Sequence, residues 1–376
     1  MRAAIVTDTY LPQVNGVTTV TRLQVEALAA TEHEVTLVAP LYPGQATERL
    51  EGQLRVRSMA FPPYPDIRLS LPPYGKVREH LNRFSPDLVH VTTEGPLGLV
   101  GRGFALRHDV PLVTSFHTDF PRYTHDYGMG WLEPLVWRWL LWFHGPARRT
   151  QTPGEAVVRR LRDHGIRHAT LWGRGVDTRR FHPRHRAAEL RREWGAEADR
   201  PAIVHVGRLA REKNLGMLIE SWILARQEIG PQGAAFVLVG DGPVAAELEG
   251  RAPWVLRIGF IDRDELARVY ASADICVLPS QTETLGLVAL EAMASGTAVI
   301  AADAGGFRET MHSGEPGLLA DASDPRAFAH AIVRLCRDAE LRRRLADAGR
   351  RTAEARDIAK ESAELIRQYE SVIGGR

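Results

Sequence analysis

Residues 275–302 read ICVLPSQTETLGLVALEAMASGTAVIAA, and this stretch decides the fold. It begins with the apolar run ICVL, passes through a polar loop into a helical pattern over LVALEAMASG, and ends in a second apolar run, AVIAA. Two short apolar runs on either side of a helical pattern predict parallel strands that are joined by a helix. The stretch therefore predicts a parallel sheet that is covered by helices.

The same alternation occupies most of the chain. The first half holds the predicted strands AAIVTD, EVTLVAP, DLVHVTT and PLVTSFHT, with predicted helices at 20–30, 74–84 and 98–107. The second half holds AIVHVG, AFVLVG, VLRIGF, ICVLP and AVIAA, with helical patterns over LGMLIESWILARQ, ELARVYASA and LVALEAMASG and a further helical stretch at 325–355. A segment rich in Gly, Pro and Arg, 172–200, separates the two runs. We therefore predict an α/β protein of two Rossmann-like domains that face a central cleft, 1–180 and 181–355, with a C-terminal helix at about 356–376 that packs back on the first domain.

The composition is that of an ordinary soluble globular protein: 376 residues, 44% hydrophobic and 25% charged. This balance excludes intrinsic disorder over most of the chain, and no apolar run is long enough for a membrane-spanning helix. The cysteines, Cys276 and Cys336, are too few for a disulfide framework or a zinc site. The first residues, MRAAIVTDTYLP, lack the apolar core of a signal peptide, and we expect a cytoplasmic protein.

Charge is divided unevenly along the chain. Residues 1–180 carry 22 Lys and Arg against 17 Asp and Glu, a formal charge of +5, whereas the remaining residues carry −3. Lys76 and Arg83 are seven residues apart and share one face of a predicted helix, which Arg78 widens. We expect this basic face to meet an anionic membrane surface, or alternatively only solvent beside an acceptor lid. No nucleic acid partner is expected.

Two further segments of the first half can meet other molecules. The Pro-rich stretch FPPYPDIRLSLPPY, residues 61–74, is predicted to be a long loop, which is typical of a lid. The segment WLEPLVWRWLLWFHGPARR, residues 131–149, is apolar on nearly every side, with Trp131, Leu135 and Trp139 at four-residue spacing. It is either a buried helix or a partly exposed surface that contacts acceptor or lipid, since Trp and Arg suit a membrane interface.

The polar loop between the predicted strand ICVL and the helix that follows it carries candidate site residues. Glu283 follows a strand end, Gly286 allows close backbone approach, and Glu291 lies inside the next helix. Free backbone N–H groups at the start of that helix would bind phosphate, and a carboxylate one or two turns on could accept hydrogen bonds from ribose hydroxyls. The alternative is two surface glutamates on an ordinary helix.

A second candidate loop follows the strand AIVHVG. Arg208 and Lys213 lie in this loop, and both could neutralise a diphosphate through charged hydrogen bonds. Lysine is rare here, since the other lysines are Lys76 and Lys360 and the remaining basic residues are arginines. The alternative is a solvated basic loop.

Two motifs imitate other sites. Asp262-Arg263-Asp264 matches an Asp-x-Asp metal pair, but DRDELARVY favours a capping box in which Asp262 is the N-cap. Gly240-x-Gly242-x-x-Ala245 imitates a dinucleotide fingerprint, but its strand is not the first of its domain and Pro243 lies in the turn. We therefore expect neither a metal site nor hydride transfer.

Motifs along nearly the whole chain resemble those of the retaining GT-B glycosyltransferases, the family that includes bacterial GDP-mannose-dependent lipid mannosyltransferases, lipid glucosyltransferases and sulfoquinovosyltransferases. They are TYLPQVNGVTTVTR, SFHTDFPRY, GRGVDTRRFHP, GRLAREKN, LVGDGP and ETLGLVALEAMASGTAVIA. The resemblance implies a GT-B fold in which residues 1–180 bind the acceptor and residues 181–355 bind a nucleotide sugar. It also implies front-face transfer without a metal or other cofactor.

The resemblance also implies roles for single residues. His117 would contact the donor sugar near the reacting carbon, and Glu283 would contact the sugar hydroxyls. The remaining donor-binding residues would be Asn15, Gly16 and Val17 beneath the phosphate, Arg208 and Lys213 at the diphosphate, the amides of Thr284, Leu285, Gly286 and Leu287, and Glu291 at the ribose. Asp119 and Tyr123 are candidates for acceptor contact. Many relatives have two adjacent glycines where this chain has Asn15 and Gly16.

The function that the resemblance implies is transfer of mannose or glucose from a nucleotide-diphosphate sugar, with GDP-mannose and UDP-glucose as leading donors, to a membrane lipid. The enzyme would then be cytoplasmic and peripheral at the inner membrane face. Two alternatives stay open: a glycosyltransferase with a soluble sugar or polysaccharide acceptor, and a non-catalytic nucleotide-sugar-binding protein.

Overall fold

The computed structural model describes residues 1–13, 15–42, 52–61, 64–121, 124, 128–172, 175–197, 200–283, 286–311 and 316–375. The chain divides into two compact units. The N-terminal unit comprises Met1–Gly173 and Glu361–Arg376, and the C-terminal unit comprises Arg174–Lys360. The sequence predicts a joint within 172–200 and domain bounds at 180–181, and the boundary between the units, at 173–174, lies inside the predicted joint.

The N-terminal unit is built on a parallel sheet. Its strands, with a separate hairpin β4–β5, are β1 (Arg2–Val6), β2 (Glu34–Pro40), β3 (Leu54–Val56), β4 (Ser58–Phe61), β5 (Tyr64–Ser70), β6 (Leu88–Val91), β7 (Leu112–Ser115), β8 (Arg149–Thr152) and β9 (Ala169–Leu171). Among the described residues, the sheet order is β3-β2-β1-β6-β7-β8-β9. The central strand β1 pairs with β2 and β6 in parallel, and its apolar residues are buried because helices cover both faces. The four strands predicted for this half are confirmed.

Helices connect these strands. They are α1 (Gly16–Ala29), α2 (Tyr74–Phe84), α3 (Pro96–Arg107), α4 (Glu133–His144) and α5 (Glu155–Asp163). The second helix has its predicted bounds, whereas α1 begins before its predicted start because the Asn15 side chain caps it. Pro96 begins α3, where its missing N–H leaves no hydrogen bond unmade.

The prediction of a long loop at 61–74 is wrong. Residues 58–61 and 64–70 form two antiparallel strands, in which Met59 pairs with Leu69 and Ser58 with Ser70. The prolines favoured a loop, but both strands of a two-stranded ribbon are edges, where proline is tolerated. No lid is inferred from this segment.

The C-terminal unit is a second parallel sheet. Its elements are α6 (Ala188–Glu193), β10 (Ala202–Val206), α7 (Leu215–Ile229), β11 (Ala235–Val239), α8 (Ala245–Arg251), β12 (Leu256–Ile258), α9 (Arg263–Ser272), β13 (Ile275–Leu278), α10 (Leu287–Ala294), β14 (Ala298–Ala302), α11 (Gly305–Met311), β15 (Leu318–Ala320), α12 (Pro325–Arg337) and α13 (Ala339–Ala355). The sheet order is β12-β11-β10-β13-β14-β15 within the described ranges. The five predicted strands are confirmed. The helical stretch at 325–355 is two helices, which part at Asp338, the N-cap of the second.

The last helix, α14 (Ile358–Gly374), belongs largely to the N-terminal unit. Its Tyr369 hydroxyl lies 2.5 Å from His90 Nδ1, and Gln151 Nε2 donates to Gln368 Oε1 at 3.0 Å. Leu365 and Tyr369 are fully buried. These contacts fix α14 to the sheet of the N-terminal unit. In the part of the chain that the structure describes, every helix is too short or too polar to cross a membrane.

Candidate functional site

The loops after β10, β11 and β13 meet at the carboxyl edge of the C-terminal sheet. Leu209 N donates to Asp241 O at 2.8 Å, and Val244 N donates back to Leu209 O at 3.1 Å. Ser280 Oγ donates to Glu212 O at 3.2 Å. These bonds join the three loops into one wall, at the edge where open α/β sheets bind ligands.

Glycines allow the close approach of these loops. Gly240 has φ +126, and a Cβ there would lie 2.0 Å from Gly207 O. A Cβ on Gly242, with φ +158, would lie 2.3 Å from Leu209 O. Packing between loops therefore explains the Gly-x-Gly pattern without a dinucleotide.

Lys213 and Glu283, predicted separately, form an ion pair. Lys213 Nζ donates to Glu283 Oε2 at 2.7 Å, and both side chains are partly buried. Lys213 ends a 3₁₀ turn, and the next residue, Asn214, adopts a left-handed conformation with φ +55 while its side chain donates to Ala322 O at 2.9 Å. The loop is thus anchored on both sides of the lysine.

The main chain of Glu283 is held by the two glycines that begin α11. Gly306 N donates to Glu283 O at 2.8 Å. Gly305 has φ +52, and a Cβ there would lie 2.4 Å from the same carbonyl. Sequence reasoning missed these glycines, although a Gly-Gly pair after a strand is a signal for close backbone approach.

The start of α10 lies next to Glu283. Gly286, with φ +67, precedes the helix, and Leu287 is its first residue. Thr284 and Leu285 lie outside the described residues. The N-terminal amides of α10 point towards the carboxyl edge, where an anion would be stabilised.

Glu291 is 6% exposed and lies on α10. Arg263 donates to its Oε1 at 3.0 Å, and the Arg263 guanidinium lies 5.2 Å from the ring centroid of Phe181. The Arg263–Glu291 pair was not predicted from the sequence, because Arg263 lies inside the Asp-x-Asp motif. The charged hydrogen bond from Arg263 fixes the position of this buried carboxylate.

The Asp-x-Asp motif is a helix cap, as predicted. Asp262 Oδ1 accepts from Asp264 N and Glu265 N, both at 2.9 Å. The Asp264 carboxylate pairs with Arg180 at 3.1 Å. Within the described ranges, no group of three or more His, Cys, Asp or Glu residues could hold a metal ion.

Two further residues lie on the loop that carries Lys213 and on the strand before it. Arg208 lies exposed on the same loop. His205 is buried on β10 beneath that loop, and its Nδ1–H donates to Val277 O at 2.8 Å. Burial, with a smaller contribution from the charge of Lys213, lowers the pKa of His205 to about 4, so the imidazole is neutral.

In the N-terminal unit, His117 follows β7. Burial lowers its pKa to about 4, and its buried Nε2 has no hydrogen-bond partner among the described residues. His90 lies nearby, with Nε2 2.7 Å from Ser115 Oγ, and burial lowers its pKa to about 3. The end of β7 therefore presents a neutral imidazole rather than a charge.

The predicted acceptor residues lie after His117. Asp119 forms an ion pair with Arg160, whose guanidinium lies 5.4 Å from the ring centroid of Trp137. This pair ties the segment after β7 to α5. Tyr123 lies outside the described residues.

Asn15, Gly16 and Val17 form the start of α1. Asn15 Oδ1 accepts from Thr18 N at 2.8 Å, and Asn15 Nδ2 donates to Thr9 Oγ1 at 2.9 Å. Gly16 is exposed and a Cβ there would have nothing within 4 Å, while Val17 is half-buried. Asn15 thus supplies the N-cap of α1.

Comparison with known proteins identifies related sequences over the whole chain. Residues 200–338 match the family described as glycosyl transferases group 1, and residues 14–180 match glycosyltransferase family 4. A GDP-mannose-dependent alpha-mannosyltransferase of Mycolicibacterium smegmatis is 37% identical and covers 100% of this chain and 99% of its own length. A GDP-mannose-dependent alpha-(1-6)-phosphatidylinositol dimannoside mannosyltransferase of Mycobacterium tuberculosis is 32% identical, with 97% and 95% covered.

A solved structure shows the same fold. Sucrose-phosphate synthase from Thermosynechococcus elongatus superposes with a TM-score of 0.78 at 24% identity and covers 100% of this chain and 99% of its own. This likeness confirms the predicted α/β architecture of two Rossmann-like units.

Proposed function

The chain belongs to the group 1 glycosyltransferases and is a hexosyltransferase, and we propose that it moves a hexose from a nucleotide-diphosphate sugar to a membrane lipid with retention of configuration. The observation that carries the proposal is the Lys213–Glu283 pair at 2.7 Å beside the start of α10. It places a cation, a carboxylate and free helix amides at one edge, as a sugar diphosphate requires.

The donor diphosphate binds at this edge in our proposal. Its oxygens take over Lys213 from Glu283, and Arg208 and the amides of α10 supply the other donors. Glu283, released from the ammonium, accepts hydrogen bonds from the sugar hydroxyls. Cations and helix amides stabilise the leaving diphosphate, so that no metal is needed. Glu291, held by Arg263 at 3.0 Å, accepts from the ribose.

His117 acts on the sugar in this proposal. A neutral imidazole can donate to or accept from a sugar hydroxyl without placing a net charge beside the reacting carbon. The low pKa of about 4 keeps it neutral at physiological pH. The acceptor hydroxyl attacks the face that the leaving phosphate departs from, and the phosphate takes its proton.

The donor and acceptor are proposed from the relatives. Both related enzymes are named as GDP-mannose-dependent, and one is named for a phosphatidylinositol dimannoside. We therefore propose GDP-mannose as the donor, with UDP-glucose second, and a lipid acceptor. The enzyme then works in the cytoplasm, peripheral to the inner membrane face.

A thermal-shift panel of GDP, UDP and ADP with their sugars tests the donor. A ligand at 100 times its Kd stabilises the folded protein by about 2.7 kcal/mol. We expect GDP and GDP-mannose to give the largest shift. No shift with any nucleotide contradicts donor binding, and a UDP or ADP preference replaces the proposed base.

Product analysis then tests the acceptor. Radiolabelled GDP-mannose is incubated with phosphatidylinositol or diacylglycerol in detergent, and the organic phase is counted. Transfer into lipid supports the proposal, whereas transfer only to soluble sugars favours a soluble-acceptor enzyme. Donor binding with neither transfer nor hydrolysis favours a non-catalytic nucleotide-sugar-binding protein.

A further inference from the structure

Helix α4 has a buried face and an exposed apolar face. Trp137, Leu140, Phe143 and His144 are buried against the N-terminal unit. The opposite face shows Leu135, Arg138, Trp139 and Trp142, which follow the i, i+3, i+4, i+7 spacing of one helical stripe. Trp131, in the 3₁₀ turn before the helix, is 78% exposed, and Leu135 is 62% exposed. The helix is therefore buried on one face and exposed on the other, whereas contact with acceptor or lipid stays a prediction.

The exposed stripe carries positive charge only. Arg138 lies in its middle and is exposed. The one carboxylate of α4, Glu133, accepts from Trp137 Nε1 at 3.2 Å instead of joining the stripe. All residues of α4 are described, so the stripe is aromatic, aliphatic and cationic, the composition that suits an anionic lipid interface.

Helix α3 extends this surface. The Arg102 guanidinium lies 4.0 Å from the ring centroid of Trp142 and donates to Trp142 O at 2.8 Å. Leu99 and Leu106, which lie on either side of Arg102 along α3, are exposed. The exposed leucines of α3 thus lie beside the tryptophans of α4.

Helix α2 lies on the other side of α3. Arg107 donates to the Tyr74 hydroxyl, which joins the end of α3 to the start of α2. Lys76 and Arg78 of α2 are exposed, while Arg83 pairs with Glu79 at 2.8 Å. The basic face predicted from the sequence is therefore one edge of a wider surface.

We propose that α2, α3 and α4 form one docking surface for an anionic bilayer, which we name the three-helix surface. Trp131, Leu135, Trp139 and Trp142 enter the headgroup region, and Lys76, Arg78 and Arg138 meet the lipid phosphates. Indole rings favour the membrane–water interface because they are apolar with one N–H donor. The choice of a bilayer as occupant rests on the proposed function, since a lipid acceptor has to be reached at a membrane.

Charge favours a bilayer over a second copy of the chain. An isologous dimer through α4 would bring Arg138 of each copy to a stripe without carboxylates. A bilayer supplies anionic phosphates at any position, and α4, about 18 Å long from its rise per residue, can lie flat in the headgroup region.

Co-sedimentation with vesicles tests the surface. Full-length protein is mixed with phosphatidylglycerol–phosphatidylcholine vesicles at low salt, and the partition coefficient is measured for wild type and for Trp131→Ser/Leu135→Ser. We expect the partition coefficient of the variant to be at least about tenfold lower, because two apolar side chains that would enter the bilayer are lost. Since both side chains are exposed, their replacement should leave the fold intact. Lys76→Glu/Arg78→Glu should lose several-fold at low salt and less at high salt, since only that part is screened.

A matched control removes exposed apolar side chains elsewhere. Leu256→Ser/Phe260→Ser, in the C-terminal unit, should bind vesicles as wild type does. Quenching of Trp fluorescence by brominated lipids should be strong in wild type and weaker in Trp131→Ser. The proposal would be overturned if Trp131→Ser/Leu135→Ser and the control Leu256→Ser/Phe260→Ser lost vesicle binding equally. It would also be overturned if the wild-type protein did not bind vesicles. A concentration-dependent dimer that only Trp131→Ser/Leu135→Ser abolishes, without an effect on vesicles, would overturn it too.

The outcomes separate this inference from the proposed function. Trp131→Ser/Leu135→Ser should keep wild-type transfer to lipid in detergent, because the variant residues lie outside the donor site. Vesicle binding without transfer to any lipid keeps the surface and removes the lipid acceptor. Transfer to lipid in detergent without vesicle binding keeps the lipid acceptor and removes the docking surface.

Discussion

The carboxyl edges of the two sheets carry different kinds of side chains. In the C-terminal unit, Lys213 pairs with Glu283 at 2.7 Å and Arg263 with Glu291 at 3.0 Å. In the N-terminal unit, His117 is neutral and half-buried, and its buried Nε2 has no hydrogen-bond partner among the described residues. The C-terminal edge therefore pairs charges at the residues predicted to bind the donor, whereas β7 ends in a neutral imidazole, with the Asp119–Arg160 ion pair further along the same segment.

The difference matches what each edge would bind. In our proposal the diphosphate needs cations, and the Glu283 carboxylate holds Lys213 in position until the phosphate replaces it. The sugar needs hydrogen bonds without net charge, which the neutral imidazole of His117 would supply. We therefore propose that the paired charges bind the donor diphosphate and that the neutral imidazole binds the sugar.

The largest expected effect is the loss of kcat when His117, in the N-terminal unit, is replaced. His117→Ala should lower kcat by about 100-fold or more, the range for a positioned catalytic group, while GDP affinity changes little. Steady-state kinetics and calorimetric titration with GDP measure the two. The control is His330→Ala, at an exposed histidine of α12. A change in kcat of about twofold or less would show that His117 does not act on the sugar.

The next largest effect is expected from a comparison of two glycine substitutions, one in each unit. Gly305→Ala places a Cβ 2.4 Å from Glu283 O at φ +52, so the Glu283 loop must shift. We expect a loss of about 1–3 kcal/mol in unfolding free energy and about a tenfold lower kcat/KM. Gly16→Ala meets nothing within 4 Å and should change kcat/KM by less than about threefold, because the site is open and helical.

Similar kcat/KM losses in the two variants would contradict this distinction. It would mean that the open space at Gly16 is needed by the donor, as a flexible loop beneath the phosphate would require.

A smaller effect concerns pH and the histidine beneath the Lys213 loop. Burial lowers the folded-state pKa of His205 to about 4 from the ordinary 6.5. The unfolded chain therefore binds a proton in this window that the folded chain does not, and the free energy of unfolding falls as pH drops from 6.5 towards 4. Each such histidine contributes up to about 1.4 kcal/mol per pH unit.

His205→Gln should make this dependence shallower. Urea unfolding at several pH values between the two pKa values measures the slope, to which His90 and His117 still contribute in the variant. An unchanged slope would show that His205 is protonated in the folded state or has an ordinary pKa.

The last prediction is that a metal chelator has no effect on turnover. Turnover should survive EDTA, because Arg208, Lys213 and the amides of α10 stabilise the leaving diphosphate in our account. A loss that added divalent ions restore would return attention to Asp262 and Asp264, even though Asp262 caps α9.

Apolar patterns predicted much of the fold. Strands such as β10 and β11 are buried on both faces and read as continuous apolar runs. The strand β8, with sequence RTQT, was missed because its buried side chains are polar. Thr150 bonds to Thr114 and Gln151 to Gln24, partners that only the folded sheet supplies.

The candidate site was predictable in its residues and not in its pairings. Lys213 and Glu283 stood out by residue type and by their places after strands, but no local pattern shows that they meet. Arg263 was hidden in a capping motif, and its partner Glu291 lies on another helix. Gly305 has a left-handed conformation and lies against the carbonyl of Glu283, which only tertiary packing brings near.

The most direct test compares a nucleoside diphosphate with its nucleoside. Titration calorimetry gives the Kd of GDP and of guanosine for wild type, Lys213→Ala and the control Lys360→Ala, at an exposed lysine of the same unit. We expect Lys213→Ala to weaken GDP binding by about tenfold to 100-fold, since one charged hydrogen bond is lost, and to leave guanosine binding within about twofold. Equal losses for GDP and guanosine, or none for either, would contradict the claim that the Lys213–Glu283 edge holds the donor diphosphate.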